Sequence, residues 1–395
     1  MKLIVVAALV AVIALLGSRI SFVRIKLPLS LANLHLTGTE YVLVGLLLGR
    51  TFLNLLDTHT IEGLFPILGL GLSWIGLLFG VQFEIRRLTH IPATVYLITF
   101  LQAIVTMVIV AIPFYFLFSD VFGHQQEIVI ICALSLAAAA SDTGQSGIAL
   151  IARQVPAGTR STLRLLQNIS HMDGLVGVIA FGLISCFGTL HGGSSAYLWV
   201  GVSLGLGLAV GLLTAALTSY RLSSEDMLLV VIGAVAFGGG MALYLNLSPL
   251  LVNLISGIVI ANVGRARARN GIRNVLLGGE RSIYILFLIL VGAGWQIGSH
   301  WVGAFVVVYL IARTLGKTLG GYISVRMLLP ESAFSRGLGL GLLSHGGIAV
   351  AIVVNLHQIH RSELTDFVIS IVLIGMLVSE LASPMLTRRV LEEKA

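Results

Sequence analysis

The sequence predicts an all-α polytopic membrane protein of about thirteen transmembrane helices, built as two inverted six-helix repeats whose helices 5 and 12 are discontinuous. Three observations lead there. Hydrophobic residues make up 57% of the 395 and charged residues only 10%, against about 25% charged in a soluble domain, so most of the surface faces lipid. Apolar runs of the ~20 residues that a helix needs to cross a bilayer recur along the whole chain. Basic residues fall in alternate connections between those runs, as the positive-inside rule requires when the helices are counted correctly.

Segment 1 (2–17) is apolar after Met1-Lys2 and lacks a small-residue cleavage site, so it reads as a membrane helix rather than a leader. Segment 2 (38–56) centres on Val42 to Leu48, and segment 3 (63–81) ends before Arg86 and Arg87. Segment 4 (92–118) follows Pro92. Segment 5 (128–153) is apolar except for Ser141 to Gly147, and segment 6 (161–190) is apolar past Asp173. Segments 7 (195–219) and 8 (226–246), rich in Leu, Ala and Gly, are split by Arg221. Segment 9 (248–264) opens on Ser248-Pro249, a helix-start signal. Segment 10 (276–298) follows Arg273, segment 11 (301–325) carries Arg313 and Lys317, segment 12 (334–356) is glycine-rich, and segment 13 (364–387) stops at Arg388-Arg389.

The odd-numbered connections and the C-terminal tail hold 18 of the 24 basic residues, from Arg19, Arg24 and Lys26 through Arg265, Arg267, Arg269 and Arg273 to Lys394. The even ones hold only Arg50 and Arg361. The expected topology therefore puts the N-terminus outside and the C-terminus in the cytoplasm, in the cell (inner) membrane. The net charge of +7 then belongs to cytoplasmic loops and gives no reason to expect nucleic acid. Cys132 and Cys186 lie in apolar spans, which excludes a disulfide framework as the expectation. The short tail argues against a large cytoplasmic regulatory domain.

Residues 1–190 form the first repeat (segments 1–6), 191–224 a linker with segment 7, and 225–395 the second repeat (segments 8–13). One repeat starts outside and the other inside. The fifth member of each is interrupted, at Ser141 to Gly147 and at Gly337 to Gly347, and the third members echo each other around Gly80 and Gly292. Paired interruptions of this kind point to a transporter's binding site.

At 1.5 Å per residue, Asp142, Asp173, Arg313 and His345 all fall about 16–20 Å into their segments, near the middle of the bilayer. Acids at that depth are costly and persist where they line a cavity or carry a function. A carboxylate removed from water holds its proton to higher pH, and it is also a hard ligand for an alkali cation. Proton and cation would then compete for Asp173 and Asp142, with Ser141, Thr143 and Ser170 as further oxygens. Arg313 and Lys317 are the charge-compensating groups, and His171 and His345 are candidates for tuning pH response. No cofactor and no enzymatic role is expected.

These residues resemble the monovalent cation–proton antiporter superfamily, the sodium/hydrogen exchangers, over nearly the whole chain. Ala140-Ser141-Asp142-Thr143 is similar to the family's Thr-Asp-Pro unwound stretch, and Met172-Asp173-Gly174 to its Asn-Asp-Gly ion site. Ser344-His345-Gly346-Gly347 is similar to its Pro-Arg-Gly-Glu segment, and Ala312 to Lys317 to the stretch holding its membrane-embedded basic residue. The resemblance implies that helices 5 and 12 cross. It implies an elevator in which core helices 4–6 and 11–13 move against scaffold helices 1–3 and 8–10, which also make a homodimer contact. Na⁺ or K⁺ would exchange for H⁺ on Asp173, one for one and electroneutrally. The sequence departs from the pattern at Met172, Thr143, Gly347 and Gly80. Two other readings are a non-transporting or channel-like sensor of the same fold, and an intramembrane aspartyl protease using Asp142 and Asp173.

Overall fold

The structure, a computed structural model, describes residues 2–20, 28–123, 126–152, 160–187, 195–220, 222–296, 300–329 and 337–392. Arg24, Lys26, Arg153, Arg221, Arg336 and Lys394 of the charge alternation lie outside the described residues. Regular structure among those described is helical. In chain order the helices are α1 Lys2–Ile20, α2 Leu29–Thr37, α3 Glu40–Leu48, α4 Thr58–Gly80, α5 Ile85–Leu88, α6 Ala93–Phe122, α7 Gln126–Ser141 and α8 Gln145–Ala152. They continue as α9 Arg160–Cys186, α10 Ala196–Leu217, α11 Ser224–Tyr244, α12 Pro249–Val263, α13 Ala266–Gly294, α14 Val302–Leu328, α15 Gly347–Ile359 and α16 Glu363–Glu392.

Among the described residues nine helical stretches are long and apolar enough to cross a membrane, or ten if α2 and α3 make one span. α6 shows why these helices suit lipid. Leu97, Phe100, Ile104, Val108, Ile112 and Phe116 form an exposed apolar stripe at helical spacing. Ile98, Gln102, Thr106, Val110 and Phe114, on the other face, are fully buried. In water that stripe would be an aggregation surface. The protein is a multi-pass membrane protein.

Several expected boundaries move; Arg19, Arg326, Arg388 and Arg389, placed in connections or the tail, lie on α1, α14 and α16, which run past the expected ends. The span placed at 38–56 does not form as one helix: Gly38 adopts a left-handed conformation (φ 74°) that stops α2, and α3 ends at Leu48. The stretch before it, read as a loop, instead contains α2. The tenth segment starts ten residues early, so Arg267, Arg269 and Arg273 lie on α13 rather than in a loop. There Arg269 pairs with Glu84 at 3.1 Å, and Glu84 also pairs with Arg87 at 2.9 Å.

The chain divides into two compact units. Unit 1 is Met1–Arg24, Glu40–His90 and Ser185–Trp295. Its helices approach backbone to backbone at glycines. A Cβ on Gly80 would stand 2.2 Å from the Leu254 carbonyl oxygen, and one on Gly257 2.5 Å from that of Leu77, so α4 and α12 touch along their main chains. α3 and α13 do the same, with Gly45 against Ile289 and Gly292 against Val42, each leaving 2.1 Å for a Cβ. Small residues are the usual means of tight packing where lipid offers no hydrophobic gain. No side chain fits at Gly80 without moving the main chain of α12. A core of Trp74, Leu77, Val231, Ile260, Ile272 and Leu276 fills the space between α4, α11, α12 and α13.

Unit 2 is Ile25–Thr39, Ile91–Ile184 and Gln296–Ala395. It holds α2, α6 to α9 and α14 to α16, together with a 3-10 turn at Leu338–Leu342. Gly316 and Gly320 bring α14 onto α6, where a Cβ would meet the Thr106 Cα and the Gln102 carbonyl at 2.9 Å. Gly339 of the 3-10 turn lies against the main chain of α14 at Lys317, with 2.0 Å for a Cβ.

Gly257→Leu would drive α4 and α12 apart, an overpacking that costs about 1–3 kcal/mol or more. Thermal melts in detergent should show a clear drop for Gly257→Leu and none for Gly240→Ala, whose added methyl meets nothing within 4 Å.

Candidate functional site

Two helices of unit 2 are interrupted. α7 runs to Ser141 and α8 begins at Gln145, leaving Asp142 to Gly144 outside any helix. The 3-10 turn ends at Leu342 and α15 begins at Gly347. The two breaks touch, because the Gly144 N–H donates to the Ser344 carbonyl at 3.1 Å. Each break frees carbonyls from the helix before it and N–H groups from the helix after it. Such groups must be satisfied within the protein at membrane depth.

Arg313 of α14 takes the carbonyls. Its Nε donates to Ala140 O at 3.1 Å and Nη1 to Leu343 O at 2.7 Å. Nη2 donates to Asp142 O at 2.8 Å and to Ser344 O at 3.0 Å. The guanidinium is 1% exposed and bonds main chain from both breaks. Its planar fork of donors suits that role, and the partial negative charge of helix C-termini balances its own.

Lys317, one turn later and fully buried, reaches the other side of the first break. Its Nζ donates to Ser141 O at 2.5 Å, Thr143 Oγ1 at 2.8 Å and Asp173 Oδ2 at 3.0 Å. Asp173, on α9, is also fully buried. It accepts from the Thr143 N–H at 3.2 Å and from the Thr143 hydroxyl. A proline at 143, as in the resembled family, could offer neither donor. Three oxygens thus converge on one positive charge.

Asp142 faces the second break. Its Oδ2 accepts from the Ala349 N–H at 3.1 Å, in the first turn of α15. It lies so close to Gly346 that a Cβ there would be 2.2 Å away. The carboxylate therefore caps a half-helix of the other broken helix, not α8, which follows it in the chain. This is an N-terminal carboxylate in its favourable position.

The remaining expected residues are more dispersed. The Ser141 hydroxyl donates back to Ala138 O at 2.7 Å, so its contribution at Lys317 is the carbonyl. The Ser170 hydroxyl donates to Gln167 O at 3.1 Å, within its own helix. His171 Nδ1 pairs with Gln145 Nε2 at 3.1 Å. His345 is buried; its Nε2 meets the Tyr309 hydroxyl at 2.7 Å, and the two rings stack. Elsewhere in the unit, His357 Nδ1 lies 3.2 Å from Asp366 Oδ1.

Glu380 was missed. This fully buried acid of α16 accepts from the Ser344 hydroxyl and the His345 N–H, both at 3.0 Å. It also accepts from the amide of Asn33 on α2. The argument that singled out Asp142, an acid inside an apolar run, applies equally to Glu380 in segment 13. Asn33 carried no such signal, because its helix read as loop.

No family model matches the sequence, and no curated protein matches it. Among solved structures, the chain is similar to the sodium proton antiporter MjNhaP1 from Methanocaldococcus jannaschii. The TM-score is 0.69 at 18% identity, over 100% of this chain and 99% of that one.

Replacing Arg313 by lysine keeps the charge but cannot reach four carbonyls. Each carbonyl left unpaired costs about 1–3 kcal/mol, so Arg313→Lys should melt well below the unaltered protein in detergent, with the deficit read by a thermal-shift assay. The extent of the match, end to end in both chains, makes this a multi-pass membrane protein with the fold of that antiporter.

Proposed function

We propose that the chain is a secondary active transporter that exchanges a monovalent cation, Na⁺ or K⁺, for H⁺, with Asp173 alternately protonated and cation-bound. The observation that carries this reading is the convergence of Asp173 Oδ2, Thr143 Oγ1 and Ser141 O on the Lys317 ammonium at 2.5–3.0 Å. Those are hard oxygen ligands around a single positive charge, the environment an alkali cation needs. The ammonium holds the place of the ion. When a cation takes that place the Asp173–Lys317 pair gives up one proton, and it takes one proton back when the cation leaves.

Asp142 and Arg313 are then the fixed charges of the site. One satisfies the N–H groups of α15, and the other the carbonyls of both breaks. Helices 5 and 12 of the sequence analysis cross at this point in the proposed arrangement, as the inverted repeats require. Transport follows an elevator, with helices 4–6 and 11–13 carrying the site and helices 1–3 and 8–10 as the fixed, dimer-forming scaffold. One proton for one cation makes the exchange electroneutral. The similarity to a sodium proton antiporter supports the reading at the level of fold. Proteolysis by Asp142 and Asp173 finds no support, since each carboxylate is committed to a different partner.

In proteoliposomes with an acidic interior and a trapped pH dye, external NaCl or KCl should collapse the gradient and choline chloride should not. Asn cannot exchange a proton at that position, so Asp173→Asn should fall below about a tenth of the unaltered rate; full activity in that variant would reject the site. Clamping the membrane potential with valinomycin and K⁺ should leave the Na⁺-driven rate unchanged. A rate that follows the imposed voltage would reject electroneutral exchange.

A further inference from the structure

Five charged side chains are fully buried in unit 2 among the described residues: Asp142, Asp173, Glu380, Arg313 and Lys317. Lys317 pairs with Asp173, and Arg313 gives its hydrogen bonds to carbonyls. Asp142 caps α15. Glu380 makes no ion pair with any described residue, and three acids face two bases. A buried carboxylate without a counter-charge is costly.

The surroundings of Glu380 show how that charge can be met. The carboxylate takes the hydrogen-bond donors of its neighbours, the Asn33 amide and the Ser344 hydroxyl. Their acceptor oxygens are left over. Asn33 Oδ1 and Ser383 Oγ are buried and make no hydrogen bond among the described residues. Both side chains are fully buried. A Cβ placed on Gly147 would stand 3.4 Å from Ser344 Oγ, 3.5 Å from Ser383 Oγ and 3.6 Å from Asn33 Oδ1. Three oxygens, two without a hydrogen bond among the described residues and one turned by its bond to a carboxylate, therefore face the side of Gly147 that carries no side chain.

We propose that Glu380, Asn33, Ser344 and Ser383 form a second site for a monovalent alkali cation, beside Gly147 and separate from the oxygens held by Lys317. Oxygen acceptors with no donor to satisfy them suit a small hard cation, and one carboxylate balances one positive charge. The site touches the exchange site through Ser344, whose carbonyl accepts from Arg313 and from Gly144. An ion there would hold the second break in shape while the first exchanges its ion. The assignment stands on binding geometry and does not rest on the transport reading.

The test is equilibrium binding of ²²Na⁺ to the purified full chain, with choline chloride holding ionic strength constant. The Asp173→Asn background removes the exchange site, so that what remains reports on Glu380 alone. Asp173→Asn should still bind one sodium ion per chain. Adding Glu380→Gln should abolish that binding. Adding Gly147→Ala instead should abolish it too, because the new methyl makes only ordinary contacts with its neighbours yet lies against the three oxygens the cation needs. The Gly147→Ala arm decides the matter if Glu380→Gln does not fold. The proposal is overturned if Asp173→Asn binds no sodium, which would mean a water molecule lies among those oxygens, or if its binding survives Gly147→Ala. Failure of exchange in the unaltered protein, with this binding intact, would overturn the transport reading alone.

Discussion

Unit 2 depends on the main-chain groups that two broken helices expose in a place without water. A helix interrupted at membrane depth presents carbonyls and N–H groups that lipid cannot satisfy. Here buried charges answer that demand, with Lys317 taking the Ser141 carbonyl and Glu380 the His345 N–H beside the two that follow. Arg313 bonds carbonyls of both breaks, and Asp142 bonds an N–H of the second. The charges and the breaks justify each other. Without the breaks, Arg313 would lose its four carbonyl acceptors, and without Arg313 the carbonyls of Ala140, Asp142, Leu343 and Ser344 would each lose a donor.

Once the breaks are held, side chains are free for other work. Thr143 stands in the first break and directs both its N–H and its hydroxyl to Asp173, while its oxygen accepts from Lys317. Glycines do the complementary task. Gly316, Gly320 and Gly339 let α14 press against α6 on one side and the second break on another, which fixes Arg313 and Lys317 at their partners. Backbone contact is more rigid than contact through long side chains, so the ion-pair geometry is set by packing rather than by the flexible lysine alone.

Unit 1 uses the same glycine device with no buried charge at its contacts. α4 meets α12 at Gly80 and Gly257, and α3 meets α13 at Gly45 and Gly292. The two contacts have the same character, main chain against main chain. Main chain lies so close at Gly80 and Gly257 that neither position has room for a Cβ.

The sequence alone determined the class and two of the three buried acids, Asp142 and Asp173, but not Glu380. Hydrophobic run length and the cost of a charge in lipid are local properties, so the membrane helices and Asp142, Asp173, Arg313 and Lys317 were legible one segment at a time. It also marked the two breaks, whose glycines and polar residues interrupt apolar runs. It erred where an apolar run held a stop, as at Gly38, and where a helix began among arginines, as in α13. Which group meets which was decided only by tertiary structure. Asp142 caps a helix 207 residues away, Lys317 reaches Asp173 across 144, and Asn33 binds Glu380 across 347. No periodicity records such pairings, since they arise when packed helices bring distant polar groups into a space that water cannot enter.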